Sequence, residues 1–67
     1  MINCAKIKGR LRELGKTQAD LAAYTGMAQS TINQKINGER PLFLDEAESF
    51  ARFLKIPDAE FTSYFFS

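Results

Sequence analysis

Apolar residues recur along the chain in short runs with helical spacing, and residues that favour turns separate these runs. The breaks fall at residues 15–17, at Gly26, and at residues 37–38, 40–41 and 56–57, where glycine or proline interrupts the pattern. Five segments lie between these breaks. The pattern therefore predicts a compact all-α fold of five short helices.

The first segment, residues 3–14, carries Ile7, Leu11 and Leu14 at helical spacing. Gly15 follows at the position where a left-handed residue commonly ends a helix. We therefore expect an amphipathic helix whose other faces carry basic side chains, namely Lys6, Lys8, Arg10 and Arg12.

The second segment begins with a typical helix start. Thr17 can accept a hydrogen bond from an amide of the first turn, and Asp20 complements the partial positive charge there. Leu21 lies on the inward face with the small Ala22 beside it. Gly26 ends the segment, because glycine adopts a left-handed turn at little cost.

The third segment, residues 28–37, has two faces of different chemistry. Ile32 and Ile36 fall on one side at about 100° per residue. Serine and asparagine are poorer helix formers than glutamate and lysine, so an ordinary solvated face would favour the charged residues. The opposite face of this segment instead carries amides and a hydroxyl, and this composition indicates a recognition surface. Its residues are Gln29, Ser30, Asn33, Gln34 and Asn37.

The last two segments add a core-facing helix and a cluster of aromatic residues. Residues 44–55 place apolar side chains at the spacing of a buried helical face, on Ala47, Phe50, Ala51 and Leu54. Residues 58–65 form a last short helix. The end of the chain carries four aromatic residues that need burial or a partner: Phe61, Tyr64, Phe65 and Phe66.

Length and composition exclude several classes of protein. A chain of 67 residues forms a single domain, residues 1–67. With one cysteine, Cys4, and no histidine, an intrachain disulfide and the common zinc sites are ruled out, and we expect no metal, no cofactor and no small-molecule ligand. We also expect no enzyme, because no nucleophile and base form a recognisable catalytic pattern. Neither a signal peptide nor a membrane span is apparent, so we expect a cytoplasmic protein.

Charge is distributed unevenly along the chain. Residues 1–40 contain seven basic and three acidic side chains, a net charge of +4, whereas residues 41–67 contain two basic and five acidic ones, a net charge of −3. This asymmetry indicates one face toward phosphates and another away from them. A mixture of solvated surface charges accounts for it equally well, so charge alone does not decide between the two interpretations.

The second and third segments together form two helices joined by a tight turn that contains glycine. The major groove of DNA admits such a pair when the second helix presents base-reading side chains. Leu21, Met27 and Ile32 can fill the angle between the two helices.

The chain here resembles a known family, the XRE-type helix-turn-helix domain of phage repressor and Cro proteins. The likeness extends over about residues 7–61, and its motifs read KTQADLA, TGM, QSTI, NG and LDEA, beginning at residues 16, 25, 29, 37 and 44. It implies a five-helix, lambda-repressor-like fold. It also implies that the helix of about residues 28–37 lies in the major groove of double-stranded DNA.

The resemblance further implies roles for individual residues of the third helix. Gln29, Ser30 and Gln34 match the base readers of the family. Asn33 shares their polar face, and we expect it to contribute to base readout as well.

A second group of residues is expected at the phosphates. By the resemblance, Gln18 begins the second helix and holds a phosphate, and Asn37 and Arg40 contact the DNA backbone beside the recognition helix. Thr31 lies between the polar face and the partner helix, so a packing role and a phosphate contact both remain open.

The sequence departs from the family pattern at four positions. Lys35 stands where the family often buries an apolar residue, so we expect Ile36 to supply that contact and the Lys35 stem to extend toward a phosphate. Ala28 and Phe43 begin helices without the usual hydroxyl cap, which forgoes about 1 kcal/mol each. Lys55 replaces a common terminal glycine.

These patterns predict a sequence-specific transcription regulator of the phage repressor or Cro-like type, bound as a homodimer to a two-fold operator. The single domain favours the Cro-like form. The dimer surface is expected among the aromatics Phe53, Phe61, Tyr64, Phe65 and Phe66, with Phe61 closing the core and the last three more available to a partner. The alternative is an antitoxin-like protein-interaction module that uses the C-terminal aromatics.

Overall fold

The computed structural model of the protein describes residues 1–66. Five α-helices follow one another along this part of the chain: α1 (Cys4–Glu13), α2 (Gln18–Thr25), α3 (Gln29–Ile36), α4 (Leu44–Leu54) and α5 (Phe61–Phe65). A 3-10 turn over Asp58–Glu60 precedes α5, and residues 1–66 contain no β-strand. The prediction of a compact five-helix all-α fold is confirmed. Within the same residues, no helix has the length and apolar character needed to cross a membrane.

The start of α2 has the cap that its sequence predicts. The Thr17 hydroxyl accepts a hydrogen bond from the Asp20 amide at 3.2 Å, and the Asp20 carboxylate accepts one from the Thr17 amide at 2.8 Å. The bond from the Thr17 amide, together with one that the Thr17 hydroxyl donates to the same carboxylate at 3.1 Å, holds the pKa of Asp20 below its usual value. Two amides that the helix itself leaves unpaired are thereby satisfied.

The end of α4 forms a left-handed turn at Lys55, without a terminal glycine. Lys55 adopts a left-handed backbone with φ of 55°, a conformation that costs a residue with a side chain about 1 kcal/mol or more. Arg10 of α1 supports this turn. Its Nε donates to the Leu54 carbonyl at 2.8 Å and its Nη2 donates to the Lys55 carbonyl at 3.2 Å.

The core lies where the predicted helix faces meet. Its six largest fully buried side chains come from four of the helices: Ile7, Leu21, Ile32, Ile36, Phe50 and Leu54. Every residue of the predicted apolar stripe of α4 is buried, as the spacing requires.

The expected division of the C-terminal aromatics is corrected. Tyr64 and Phe65 are buried, whereas Phe61 packs against the core only in part and Phe66 remains 52% exposed. The cause is the docking of α5 against the N-terminus, where the Asn3 amide donates to the Tyr64 carbonyl at 2.8 Å. Two of the three aromatics predicted to be available to a partner therefore belong to the core.

Candidate nucleic-acid interface

The turn between α2 and α3 fixes the angle of the two helices. Gly26 is left-handed with φ of 76° and ends α2. The Thr25 hydroxyl donates to the Leu21 carbonyl at 2.9 Å and accepts from the Met27 amide at 3.4 Å, which ties the turn to the helix before it. Leu21 and Ile32 are fully buried in the angle. The structure therefore contains the helix pair that the spacing predicts.

The outer face of α3 carries the predicted base readers. Ile32 and Ile36 point into the core with no exposed surface, which turns the other side of the helix outward. Side chains on that outward side are exposed or half-buried, and they include all four candidates, Gln29, Ser30, Asn33 and Gln34. Their contact with bases stays a prediction.

The N-terminal end of α3 makes few contacts of its own. Ala28 precedes the helix without a side-chain cap, as its sequence predicts. Neither Gln29 nor Ser30 forms a side-chain hydrogen bond within residues 1–66, and both are exposed. Gln18 and Thr31, two of the residues expected at phosphates, are half-buried.

The C-terminal end of α3 is held by a chain of hydrogen bonds. The Asn37 side-chain amide donates to Asn33 Oδ1, and its own oxygen accepts from the Cys4 thiol at 3.2 Å. Arg40 Nη1 lies 3.5 Å from Gln34 Oε1. Asn37 and Arg40 are both exposed at this end of α3, and their contacts with phosphates stay a prediction.

Lys35 is the residue whose predicted position is corrected. It is only 7% exposed, and its amine forms an ion pair with Glu46 at 2.6 Å and donates to the Pro41 carbonyl at 3.2 Å. Burial raises the pKa of Glu46, but the hydrogen bonds from Lys35 and from the Phe43 amide outweigh it and hold the pKa below its usual value. The lysine stem lies within the core stripe instead of extending to the surface, and its amine is already paired.

Several basic side chains of residues 1–40 already have partners within the protein. Besides Lys35, Arg10 binds the end of α4, and Lys6 donates to Ser63 at 3.1 Å and lies 4.6 Å from the centre of the Tyr64 ring. The exposed basic residues of residues 1–40 that lie outside these contacts are Lys8, Arg12, Lys16 and Arg40. The positive charge available to a phosphate surface is therefore smaller than the count along the chain indicates.

The sequence analysis predicts neither the ion pair of Lys35 nor the bond between Cys4 and Asn37. For Lys35 a signal existed, because it follows Ile32 by three residues and precedes Ile36, which places it on the buried stripe of α3. For the bond between Cys4 and Asn37 there was none, since 33 positions separate the two residues in different segments.

Comparison with known proteins gives one positive finding. A family model described as helix-turn-helix matches residues 7–61, which include α2, α3 and the turn between them. The searches of curated proteins and of solved structures found no match. Since the match covers most of the chain, and the structure has the helix pair and five-helix fold expected of it, the protein belongs to the XRE-type helix-turn-helix family, a family of DNA-binding regulatory domains.

Proposed function

We propose that the protein is a sequence-specific regulator of transcription of the phage repressor or Cro-like type, with α3 in the major groove of its operator. One observation carries the proposal: the outward side of α3 presents amides and a hydroxyl while its inward side is fully buried. A helix fits the major groove, where each base pair offers a distinct pattern of donors and acceptors.

The candidate residues fall into two groups, those proposed to contact bases and those proposed to contact phosphates. Gln29 and Gln34 can bond two edge atoms of adenine, and Ser30 can donate or accept. The Asn33 oxygen already accepts a bond from Asn37, so we propose that its amide group donates to acceptors on the bases. We propose phosphate contacts for Gln18, Thr31, Asn37 and Arg40, because contacts of this kind fix the register of a protein on DNA.

We further propose that the protein acts as a homodimer on half-sites about 34 Å apart, one turn of DNA. A single small module buries only about 600 to 1,000 Å², so a second copy extends the sequence that is read. Phe66 remains the most exposed of the aromatics expected at the dimer surface. Phe43 and Leu44 are a second exposed apolar pair, at 60% and 58%, and the Phe43 ring lies 5.1 Å from the amine of Lys35 in α3.

The alternative, a protein-interaction module built on the C-terminal aromatics, has less support. Tyr64 and Phe65 are buried and so are not available to a partner. The proposal places the protein in the cytoplasm, where its DNA would be, and assigns it no catalytic activity.

A selection on random duplex DNA followed by a salt titration tests the proposed function. We expect a selected sequence with two-fold symmetry, and a log affinity that falls linearly with log salt. Sedimentation on the selected duplex should give two proteins per site, and Phe66→Ser should weaken binding more at low protein concentration than at high. Failure to enrich any sequence would contradict the assignment, and one protein bound to a site without symmetry would contradict the dimer.

A further inference from the structure

We propose that Lys35 is a positioning residue that fixes the place of Arg40, so that the arginine meets a phosphate beside the recognition helix. This inference rests on the proposed function and gives the buried lysine a part in it. Lys35 acts through Arg40 and does not touch the DNA.

The Lys35 amine joins three parts of the structure. It belongs to α3, it pairs with Glu46 in the first turn of α4 at 2.6 Å, and it donates to the Pro41 carbonyl in the connecting loop at 3.2 Å. Glu46 Oε1 also accepts from the Phe43 amide at 3.0 Å, and the Phe43 ring lies 5.1 Å from the amine. The loop between α3 and α4 is therefore attached to both helices through one ion pair.

Arg40 lies between the attachment points of this loop. Before it, the amides of Glu39 and of Arg40 itself both donate to the Gln34 carbonyl, at 2.8 and 3.3 Å. After it, the Pro41 carbonyl is held by Lys35. The backbone on both sides of Arg40 is thus bound to consecutive residues of α3, and its exposed guanidinium lies 3.5 Å from Gln34 Oε1. This arrangement sets the direction of the arginine relative to the base-reading face.

The same geometry argues against a direct phosphate contact by Lys35. The side chain is 8% exposed and its charge is already matched by a carboxylate. Each phosphate that a protein cation neutralises releases counterions and adds about 0.9 to the slope of log affinity against log salt. An amine that keeps its internal partner adds nothing to that slope.

A double-mutant cycle on the selected operator separates the two roles. The slope against salt and the affinity are measured for the parent protein, Lys35→Met, Arg40→Ala and the combined variant, with circular dichroism melts to confirm folding. We expect Arg40→Ala to lower the slope by about one unit, Lys35→Met to lower it by nearly as much, and the combined variant to match Arg40→Ala.

A second variant keeps the test valid if Lys35→Met leaves Glu46 unpaired and fails to fold. Lys35→Met/Glu46→Leu removes both charges together, which often preserves stability because no buried charge is left alone. We expect this variant also to lose about one unit of slope. The matched control is Glu48→Leu/Arg52→Met, which removes one acidic and one basic side chain from the exposed side of α4 and should keep the slope of the parent.

The outcomes are distinct. An unchanged slope in folded Lys35 variants would make the residue structural only, and a further unit lost in the combined variant would make it a direct phosphate contact, so either result overturns the inference. An unchanged slope in Arg40→Ala overturns it as well. If the parent itself binds no DNA with a salt-dependent affinity, the proposed function fails first.

Discussion

The two ends of α3 differ in how firmly the protein holds them. At the N-terminal end, Ala28 provides no cap, and the exposed Gln29 and Ser30 side chains make no hydrogen bond within residues 1–66. At the C-terminal end, Asn37 bonds to Asn33 and Cys4, and Lys35 pairs with Glu46. One end is open to a ligand and the other is already engaged with the protein.

This difference suggests two ways of contributing to recognition. Side chains at the open end must be ordered by the DNA, which costs conformational entropy on binding but permits adjustment to the base edges. Groups at the engaged end are ordered before binding, so their contacts cost less to form. Substitutions at the two ends should therefore affect binding and stability in different proportions, and the four predictions below test this.

The largest effect is expected in DNA affinity. Gln29→Ala should weaken binding to the selected operator by about 1 to 3 kcal/mol and relax preference at one base pair, since a bidentate contact to adenine is lost. The unfolding free energy should change by less than about 0.5 kcal/mol, because the side chain is exposed and makes no hydrogen bond within residues 1–66.

The control for Gln29 is Gln18→Ala, which should weaken selected and scrambled duplexes alike, because phosphate contacts carry no sequence information. Fluorescence anisotropy on both duplexes measures the difference. Equal binding of the selected operator by Gln29→Ala and the parent would show that the open end of α3 does not read bases.

The next effect concerns the stability of the engaged end. Gly38 is left-handed with φ of 78°, and its amide donates to the Lys35 carbonyl as the helix ends. Gly38→Ala should lower the unfolding free energy by about 1 to 2 kcal/mol, since a side chain disfavours this backbone. Gly9→Ala, inside α1 and also with free space around the new methyl, should raise it by about 0.5 to 1 kcal/mol. Urea titrations check both, and equal effects of the two substitutions would contradict the prediction.

The contrast between the two ends of α3 also explains which features the sequence could predict. Local signals such as the cap at Thr17, the turn at Gly26 and the apolar stripe of α4 depend on residues a few positions apart, and the structure has all three. The engaged end of α3 depends on contacts with α1 and α4. Local spacing indicates that Lys35 lies on the buried stripe of α3, but it does not encode which residue of another helix pairs with it.

The burial of Tyr64 and Phe65 has the same explanation. Composition indicates that these rings need burial, but which of them enter the core depends on how α5 docks against Asn3 and against α1. The positions of the base-reading candidates were predictable because they follow from one helix and its buried face. The helix and its buried face do not determine which DNA groups these side chains contact, so those contacts stay a prediction.

A smaller effect is expected at the open end when a cap is supplied. Ala28 already has the extended backbone of a cap residue, with φ of −65° and ψ of 146°. Ala28→Ser should raise the unfolding free energy by about 1 kcal/mol, because its hydroxyl can accept from an amide of the first turn. Ala23→Ser adds the same hydroxyl at an exposed position inside α2 and should cost about 0.5 kcal/mol. Thermal melts compare them, and no gain from Ala28→Ser would mean that these amides already have partners.

The smallest effect is the response of the engaged end to acid. The pKa of Glu46 lies below its usual value in the folded protein, so its carboxylate stabilises the fold above the usual carboxyl pKa, about 4.3, and this stabilisation is lost as the pH falls through the folded pKa. Burial opposes the hydrogen bonds from Lys35 and Phe43 at this carboxyl, which keeps the net effect small. Glu46→Gln removes the titrating group but keeps an oxygen acceptor beside Lys35.

The difference in unfolding free energy between the parent and Glu46→Gln should therefore be largest at neutral pH and narrow as the pH falls below about 4.3. Urea titrations from pH 7 to pH 3 measure it. The acid response of Asp20 at the start of α2 is common to both proteins and cancels in the difference. Glu48→Gln controls for the loss of a carboxylate from the exposed side of α4. Two results would contradict the prediction: a difference that stays constant over this range, or one that narrows equally for Glu48→Gln. Either would mean that protonating Glu46 does not lower the unfolding free energy, and so that its ion pair with Lys35 does not stabilise the engaged end.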